Sequence, residues 1–422
     1  MILDSSRSRG VVRVAWARVA TASLAVFALV AVLSGTGDCQ IPIAPEKVLI
    51  AGGCCDSSGA LLRSAELYDP FQGRFRLTGA IKQGRTEHSA TLLQGNLILI
   101  AGGAGVSSKA LDTAELYNVT SGTFTATGNM TVARRAHTAS LLADGRVLIA
   151  GGIDADGRVL DSAELYNPSS GKFAATGSMT AERAFHTATV FTSGPLSGEV
   201  LIAGGAGANE TAVNSAELYD AAGGNFITTG AMVHARAAHT ASLLSDGDVL
   251  VAGGGSVAPP EIAGTTATAE VYHAGKGLFT AVGNMTTARE EHTATLVTAP
   301  LPVAAAVGGT VLIAGGISCP GPPEACATLP IAILASAELY DSNSGKFTRT
   351  GSMAEPRAQH SATQLADGLA LVAGGIVTSP GHSAELYDLP IRRFMATGAM
   401  VHPRYGHTAT DFNPCPLCVA PK

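Results

Sequence analysis

Short runs of apolar residues recur along the chain, and each is followed directly by two glycines. Residues 146–150 show the pattern, because Arg-Val-Leu-Ile-Ala stands immediately before Gly151-Gly152. A run that is apolar at nearly every position predicts a strand covered on both faces. Two further segments accompany each run: Ser-Ala-Glu-Leu-Tyr, and a segment of the type His-Thr-Ala-Thr-Leu-Leu. The second alternates small and β-branched residues, so the pattern as a whole predicts an all-β protein.

These segments form one unit that occurs seven times with a period of 49 to 62 residues. Each unit contains a glycine pair, a glutamate in Ala-Glu-Leu-Tyr or Ala-Glu-Val-Tyr, a phenylalanine, and an Arg-x-x-His motif. The glycine pairs begin at Gly52, Gly102, Gly151, Gly204, Gly253, Gly315 and Gly374. The glutamates are Glu66, Glu115, Glu164, Glu217, Glu270, Glu338 and Glu385. The arginines are Arg85, Arg134, Arg183, Arg236, Arg289, Arg357 and Arg404, each followed three positions later by the histidine.

A repeat of about 50 residues with these features resembles the kelch family, in which one repeat corresponds to a four-stranded blade of a β-propeller. The resemblance covers residues 47–412 and departs from the family in one respect. The aromatic residue that is often Trp in kelch repeats is Phe in this chain, and the single Trp16 lies near the N-terminus. The resemblance implies a seven-bladed propeller of antiparallel blades, and the Trp-to-Phe change affects packing volume only.

The order of the segments predicts how the ring closes. The first repeat begins with its apolar strand, and an additional His-Thr-Ala-Thr strand follows the last repeat at residues 407–412. We therefore expect the C-terminal strand to complete the first blade, which leaves no open sheet edge between the two ends.

Composition and charge exclude several classes of protein. The chain has 50 Gly, 14% charged residues and a net charge of −6, and the part after residue 37 carries about −9. Low charge excludes a disordered chain, and the lack of a basic stripe argues against binding to nucleic acid. We therefore expect a globular protein whose partners do not include nucleic acid.

The N-terminus has the pattern of a secretory signal peptide. Four arginines precede an uncharged apolar run over residues 19–33, and small residues follow up to Gly37. We expect a signal peptide at 1–37, a linker at 38–46, the propeller at 47–412 and a cysteine-containing tail at 413–422. Cleavage after Gly35, an uncleaved membrane anchor and a lipoprotein modified at Cys39 are the alternatives. Each of them places the protein outside the cytoplasm, as a secreted, periplasmic or cell-surface protein.

The recurring Glu and Arg-x-x-His residues are interpreted as structural, because a catalytic site on a ring would break its symmetry. We expect each Glu and Arg to be partners, since an unpaired carboxylate among apolar neighbours is costly. No catalytic, cofactor-binding or metal-binding residue is assigned, and His234, His273, His382 and His402 are interpreted as surface histidines. The alternative is a propeller enzyme, either a hydrolase or an oxidase resembling galactose oxidase, with an asymmetric site near the axis.

An oxidising compartment predicts disulfide bonds. Cys319 and Cys326 flank a proline-rich insertion and form one candidate pair. Cys39 with either Cys415 or Cys418 forms a second candidate, which would join the ends of the ring, and Cys415–Cys418 is the competing pairing.

The leading functional prediction is a monomeric binding scaffold, without a cofactor, that recognises a protein or a glycan through its loops. Two loops are longer than the others, with 14 residues in the fifth repeat and 20 in the sixth, against 8 to 11 elsewhere. Prolines stiffen such loops, and binding residues concentrate on loops of rigid scaffolds. The candidate binding residues are Pro259, Pro260, Glu261, Pro322 and Glu324.

Overall fold

The protein is a ring of seven four-stranded antiparallel sheets, described by a computed structural model over residues 46–54, 60–257, 264–297, 309–319, 326, 331–376 and 381–412. Within each sheet, or blade, we name the strands A to D from the axis outwards. Every repeat supplies strands B, C and D of one blade and strand A of the next. This arrangement confirms the predicted fold class.

The first four blades are built from the following strands, in the order A, B, C, D. Blade 1 contains β30 (Thr408–Phe412), β1 (Lys47–Ala51), β2 (Ser64–Asp69) and β3 (Arg74–Ala80). Blade 2 contains β4 (Ser89–Leu93), β5 (Leu97–Ala101), β6 (Ala114–Asn118) and β7 (Thr123–Ala126). Blade 3 contains β8 (Thr138–Leu141), β9 (Val147–Ala150), β10 (Ala163–Asn167) and β11 (Lys172–Ala175). Blade 4 contains β12 (Thr187–Val190), β13 (Val200–Ala203), β14 (Ala216–Asp220) and β15 (Asn225–Thr228).

The remaining three blades follow the same order, and blade 6 carries an additional hairpin. Blade 5 contains β16 (Thr240–Leu243), β17 (Val249–Ala252), β18 (Ala269–His273) and β19 (Leu278–Ala281). Blade 6 contains β20 (Thr293–Val297), β21 (Thr310–Ala314), β24 (Ala337–Asp341) and β25 (Lys346–Arg349). Its insertion forms the hairpin β22 (Ile317–Ser318) and β23 (Ala332–Ile333). Blade 7 contains β26 (Ser361–Gln364), β27 (Ala370–Ala373), β28 (Ala384–Asp388) and β29 (Arg393–Ala396).

The ring closes in blade 1, as the sequence predicts. β30 pairs with β1 in antiparallel register, with Lys47 opposite Phe412 and Ala51 opposite Thr408. One 3-10 turn lies at Val106–Ser108, and none of the helical segments in the described residues is long and apolar enough to span a membrane.

The core lies between neighbouring blades. In β9 every residue is buried, which agrees with a strand covered by a blade on each side. Leu99 of blade 2 and Ile149 of blade 3 belong to one apolar cluster, into which Met130 of the connecting loop also packs. Farther out, Tyr117 packs against Phe124 with the ring centroids 4.7 Å apart and the planes tilted by 47°, and its hydroxyl contacts the Thr78 hydroxyl of the preceding blade. Phe therefore fills the position that the kelch pattern often gives to Trp.

The glycine pairs are required by close packing at the end of strand B. Gly102 has a φ of +60°, and a Cβ atom there would lie 2.5 Å from the Arg134 carbonyl oxygen and 2.8 Å from His137 Cε1. No side chain fits at that distance, and the left-handed conformation itself favours glycine. The pair therefore allows the loop that enters the next blade to pack directly on strand B.

Candidate functional site

One face of the propeller carries both the B–C loops and the D–A connections, because strand B ends where strand A begins. We call this the loop face. Each repeat arginine lies in a D–A connection on this face and pairs with the repeat glutamate on strand C of the blade that the connection enters. Arg134, for example, donates from Nη2 to Glu164 Oε1 at 2.9 Å, and both side chains are buried.

The same contact occurs in all seven blades, with Nη2–Oε1 distances from 2.6 to 3.4 Å. Arg134 also donates from Nη1 to the carbonyls of Gly151 and Ser162, and Glu164 accepts the backbone N–H groups of Thr131 and Val132. Burial lowers the pKa of Arg134, and Glu164 opposes that shift. Each ion pair therefore holds a D–A connection against the blade that it enters, and so stabilises the propeller.

The repeat histidines make a second contact that recurs at every junction between blades. His137 Nε2 lies 3.0 Å from Ser89 Oγ of the preceding strand A, and the other six histidines make the equivalent contact with a Ser or Thr. Burial, followed by the charge of Arg134, lowers the pKa of His137 to about 3. The buried histidines are therefore neutral hydrogen-bonding groups at neutral pH.

The four remaining histidines do not assemble into a metal centre. His273 Nδ1 lies 2.5 Å from Asp248 Oδ2, while His234 and His402 stand beside the repeat glutamates Glu270 and Glu66 at 3.5 and 3.8 Å. Within the part of the chain that the structure describes, no three His, Cys, Asp or Glu side chains are grouped to hold a metal ion.

The residue before each repeat histidine has a positive φ and lies next to the axis on the loop face. These residues are Glu87, Ala136, Phe185, Ala238, Glu291, Gln359 and Gly406, which we call the axial ring. Six of them donate their backbone N–H to the carbonyl oxygen of the preceding member, at 3.0 to 3.2 Å. At the remaining junction, Thr86 Oγ1 donates to the Gly406 carbonyl at 3.0 Å. The axial ring thus surrounds the axis with six backbone hydrogen bonds and one hydrogen bond from a threonine side chain.

The side chains of the axial ring break the sevenfold symmetry. Glu87 accepts a hydrogen bond from Arg135 Nη1 at 2.8 Å, and Gln359 Nε2 donates to Glu291 Oε1 at 2.6 Å. Burial raises the pKa of Glu291, the hydrogen bond from Gln359 partly opposes that shift, and the charge of Glu87 adds to it. Polar side chains therefore occupy three of the four consecutive positions Glu291, Gln359, Gly406 and Glu87, whereas the other three positions of the ring are alanine or phenylalanine.

A cavity of about 800 Å³ opens beside this cluster, between the loops of blades 1, 2 and 7. We call it the axial pocket. Its polar lining comprises Arg63, Gln83, Thr86, Glu87, Gln359 and Tyr405, together with Ser107 and Ser108. Arg63 Nε donates to the Ile81 carbonyl at 3.1 Å, which fixes the base of its side chain at the edge of the pocket.

On the same loop face, but away from the axial pocket, the B–C loops of blades 4, 5 and 6 are joined to one another by hydrogen bonds. Ala212 N–H donates to the Ser256 carbonyl at 3.0 Å, and Cys319 N–H donates to Thr265 Oγ1 at 2.9 Å. Cys319 and Cys326 form a disulfide bond within the blade 6 insertion. The two long insertions are therefore linked in one structure, which we call the loop wall.

Several residues singled out from the sequence fall outside the described residues. These are Pro259, Pro260, Glu261, Pro322 and Glu324 of the two insertions, and Cys39, Cys415 and Cys418. Cys54, at the end of blade 1, is disulfide-bonded.

Sequence reasoning missed the axial cluster, although a signal for it exists. The two variable positions of Arg-x-x-His read Thr-Glu, Arg-Ala, Ala-Phe, Ala-Ala, Glu-Glu, Ala-Gln and Tyr-Gly in successive repeats. The constant Arg and His are the same in every blade, whereas the two variable positions between them differ from blade to blade and break the sevenfold symmetry.

The opposite end of the axis differs in character. The fourth residue of strand A is Leu or Val in five blades, and Gln364 and Asp411 replace it in blades 7 and 1. A shallow depression of about 640 Å³ lies there, bordered by Glu46, whose carboxylate accepts the Ala366 N–H. Burial raises the pKa of Glu46, and the nearby Asp411 adds to that shift.

Comparison with known proteins agrees with this architecture. Residues 134–180 match the kelch motif, and no curated protein sequence matches the chain. Among solved structures, the protein YjhT has 13% sequence identity and a TM-score of 0.57, covering 74% of this chain and 97% of its own. A fungal alcohol oxidase of the AA5 family, in complex with copper, has 16% identity and a TM-score of 0.58, covering 80% of this chain and 72% of its own. At these identities the similarity extends to the fold alone.

Proposed function

Because the chain is a seven-bladed β-propeller of kelch repeats, we propose that it is a recognition scaffold that acts outside the cytoplasm and binds a glycan or a protein on its loop face. The observation that supports this proposal is the break in sevenfold symmetry at the axial ring. Residues common to all blades hold the ring together, whereas glutamate occurs at two and glutamine at one of the seven axial-ring positions. Glu87 and Gln359 border a cavity, and Glu291 adjoins it through Gln359. Functional sites are local additions to a repeated scaffold, which is the pattern seen on this face.

The lining of the axial pocket suits a ligand rich in hydroxyl or amide groups. Gln83 and Gln359 each offer a donor and an acceptor, Thr86 and Tyr405 carry hydroxyls, and Arg63 offers donors only. A volume of about 800 Å³ lies within the range of pockets that enclose small ligands or short oligomers. The loop wall joins the B–C loops of blades 4, 5 and 6 on the same face, where a larger partner can make further contacts.

The location outside the cytoplasm is supported by two features. The first 37 residues have the charge and hydropathy pattern of an export signal. The Cys319–Cys326 disulfide is of the kind that persists in oxidising compartments.

Binding to an array of glycans and to purified cell-envelope fractions tests the proposal. Gln359→Leu removes a polar group from the axial pocket at nearly constant volume, and Gln364→Leu makes the same change at the opposite end of blade 7. We expect a glycan or envelope ligand of the native protein to bind the Gln359→Leu variant at least about tenfold more weakly, which corresponds to about 1.4 kcal/mol. The Gln364→Leu variant should bind as the native protein does. Equal loss in both variants, or in neither, would remove the axial pocket from the proposal.

An oxidase with a copper centre is the alternative suggested by the shared fold. Such a centre requires a set of nitrogen, sulfur or phenolate ligands around one point. The groups that converge at the axial ring are carboxylate, amide and guanidinium, and Tyr405 is the tyrosine that borders the axial pocket. The residues described at the axial ring and its pocket therefore do not fit copper.

A further inference from the structure

We propose that the outer rim of blades 7 and 1 docks the propeller on a bilayer of anionic phospholipids. This surface, the rim patch, comprises the C–D turns and D strands of the two blades, at 389–396 and 70–80. It lies away from the axis, so the inference goes beyond the recognition function proposed for the loop face and does not depend on it.

Cations are concentrated in and beside the rim patch. The C–D turns and D strands of blades 6, 7 and 1 contain six cations and no acidic residue, whereas the same segments of blades 2 to 5 contain two cations and no acidic residue. The six are Lys346, Arg349, Arg392, Arg393, Arg74 and Arg76. The part of the chain after residue 37 carries a net charge of about −9. This sector of the rim therefore attracts anions although the protein as a whole is acidic.

The four arginines of the rim patch are available to bind an anion. All four are exposed, and none of them forms an ion pair with another described residue. Arg76 donates to the side chain of Gln72, which is neutral and leaves the charge of the guanidinium uncompensated. Guanidinium groups bind phosphate oxygens through two parallel hydrogen bonds, so these side chains suit lipid phosphates.

Arg392 occupies a turn position that glycine fills in the other six blades. Its φ is +53°, and the equivalent residues have φ values from 59° to 68°. They are Gly73, Gly122, Gly171, Gly224, Gly277 and Gly345. This left-handed conformation is costly for a residue with a Cβ atom. Glycine would therefore suit the turn better, whereas arginine adds a charge to the rim patch.

Exposed apolar side chains lie among these arginines. Phe71, in the C–D turn of blade 1, is 90% exposed. Three further exposed apolar residues of the rim patch are Leu77, Ile391 and Met395. The two blades form one surface, because Gly398 N–H, just after β29, donates at 2.9 Å to the Gly73 carbonyl, just before β3. Apolar side chains beside cations suit the interface of a bilayer, where the apolar atoms enter the acyl region and the cations stay at the phosphates.

Two features favour a bilayer over an acidic protein as the partner. Phe71 protrudes from a turn, and the fluid interface of a bilayer accepts such a side chain without a preformed pocket. In addition, Val48 lies opposite Tyr68, so the chain enters blade 1 at the end that carries the turn with Phe71. Residues 34–46 connect that point to the apolar run over 19–33 and span at most about 45 Å. If the run is retained in a membrane, blade 1 therefore stays within reach of the lipid.

Sedimentation with lipid vesicles tests the proposal on the full chain. The vesicles contain phosphatidylcholine alone or phosphatidylcholine with phosphatidylglycerol, and we expect stronger binding to the anionic vesicles, weakened by salt. Each cation near an anionic bilayer strengthens binding about fivefold, so Arg74→Gln with Arg393→Gln should lower the partition coefficient about 25-fold. Arg392→Gly should lower it about fivefold and raise the melting temperature, a combination that a purely structural role of the arginine would not give.

Lys172→Gln with Lys276→Gln is the matched control, because it removes two charges from the same segments of blades 3 and 5. It should bind the anionic vesicles as the native protein does. Equal losses in the two double variants would show that net charge alone matters, and would overturn the proposal. Binding of the native protein to polyglutamate but not to anionic vesicles would assign the rim patch to an acidic protein, and would overturn it as well.

A tryptophan at position 71 reports contact with lipid directly. In Phe71→Trp combined with Trp16→Phe, the new residue is the only tryptophan of the chain. We expect its emission to shift to shorter wavelengths when anionic vesicles are added. Ile227→Trp with Trp16→Phe, on strand D of blade 4, is the control and should show no shift. An unshifted emission at position 71, or an equal shift at both positions, would overturn the proposal whatever the N-terminal segment contributes to binding.

Discussion

Arg404 and Glu66 are separated by 338 positions in the sequence, yet Arg404 Nη2 lies 2.6 Å from Glu66 Oε1 in the buried interior of blade 1. The same arginine donates from Nη1 to the carbonyls of Gly52 and Ser64. The end of the last repeat is therefore bound to the first blade by a side-chain cluster as well as by the pairing of β30 with β1.

This cluster predicts the effect of removing the arginine. Arg404→Met leaves the Glu66 carboxylate buried with backbone donors alone, and we expect a loss of about 3–5 kcal/mol in the free energy of unfolding. Arg134→Met, at an internal junction, should lose a similar amount. Urea unfolding measures both, with Arg158→Met as the control because its ion pair with Asp156 is largely exposed. A loss for Arg404→Met no larger than that of the control would contradict the assigned role in ring closure.

Two glycine substitutions distinguish the cost of backbone strain from the cost of steric contact. Gly102 and Gly145 both have positive φ, but a Cβ atom at Gly102 would meet backbone and histidine atoms, whereas at Gly145 it would meet nothing within 4 Å. We expect Gly145→Ala to cost about 1 kcal/mol from strain and Gly102→Ala to cost several times more. Thermal unfolding of the two variants provides the comparison. Equal losses would show that the B–C turn can move away from the D–A connection.

The buried histidines predict sensitivity to acid. The folded-state pKa of His137 lies at about 3, below the usual value of 6.5, so the unfolded chain binds more protons between these limits. Stability from this group is therefore fully present above about pH 6.5 and declines as the pH falls towards 3. His137→Gln should reduce the slope of unfolding free energy against pH in that range.

The exposed His382 gives the matched control for this measurement, and His382→Gln should leave the slope as it is in the native protein. Since desolvation lowers the pKa of all seven repeat histidines, each single variant is expected to remove only a fraction of the acid sensitivity. If the slope is the same in the His137→Gln variant as in the native protein, the histidine ring is not neutral in the folded state.

Mass mapping under non-reducing conditions tests the cysteine pairing. We expect a peptide that links Cys319 to Cys326, in agreement with the structure. A second link should join Cys39 to Cys415 or Cys418, since β1 begins opposite the end of β30. A link between Cys415 and Cys418 instead would show that the ring ends are held by strand pairing and by Arg404 without a covalent bond.

The repeated part of the fold was predictable because each sequence feature that specifies it occurs seven times. Strand B is apolar throughout, the glycine pair marks its end, and the buried Glu164 requires a partner that Arg134 supplies. A constraint that recurs in every repeat can be separated from chance by comparison within a single sequence. Ring closure followed from the surplus strand at 407–412, which has no other strand B to pair with.

The candidate site was not predictable to the same degree. Glu87, Glu291 and Gln359 occupy a position that is alanine, phenylalanine or glycine in the other repeats, and this variation, although visible in the sequence, does not show that the three residues lie near one another. Their significance depends on the axial ring, which brings residues from separate repeats together by backbone hydrogen bonds. The hydrogen bond between Cys319 and Thr265 likewise joins two insertions whose contact depends on the position of neighbouring blades. These features come from tertiary geometry, which the strand pattern does not encode.

The offset between the repeat and the blade has a consequence for how such a chain can change in length. Since one repeat gives three strands to its own blade and the fourth to the next, every junction around the ring has the same covalent and ionic connection. Inserting or deleting one whole repeat would leave every strand A with a strand B, and every Arg of the Arg-x-x-His motif with a Glu. Inserting a fraction of a repeat would leave a strand unpaired. The number of blades can therefore change by one for each repeat gained or lost by gene duplication or deletion. The pairing between the first and last strands of the chain is kept each time.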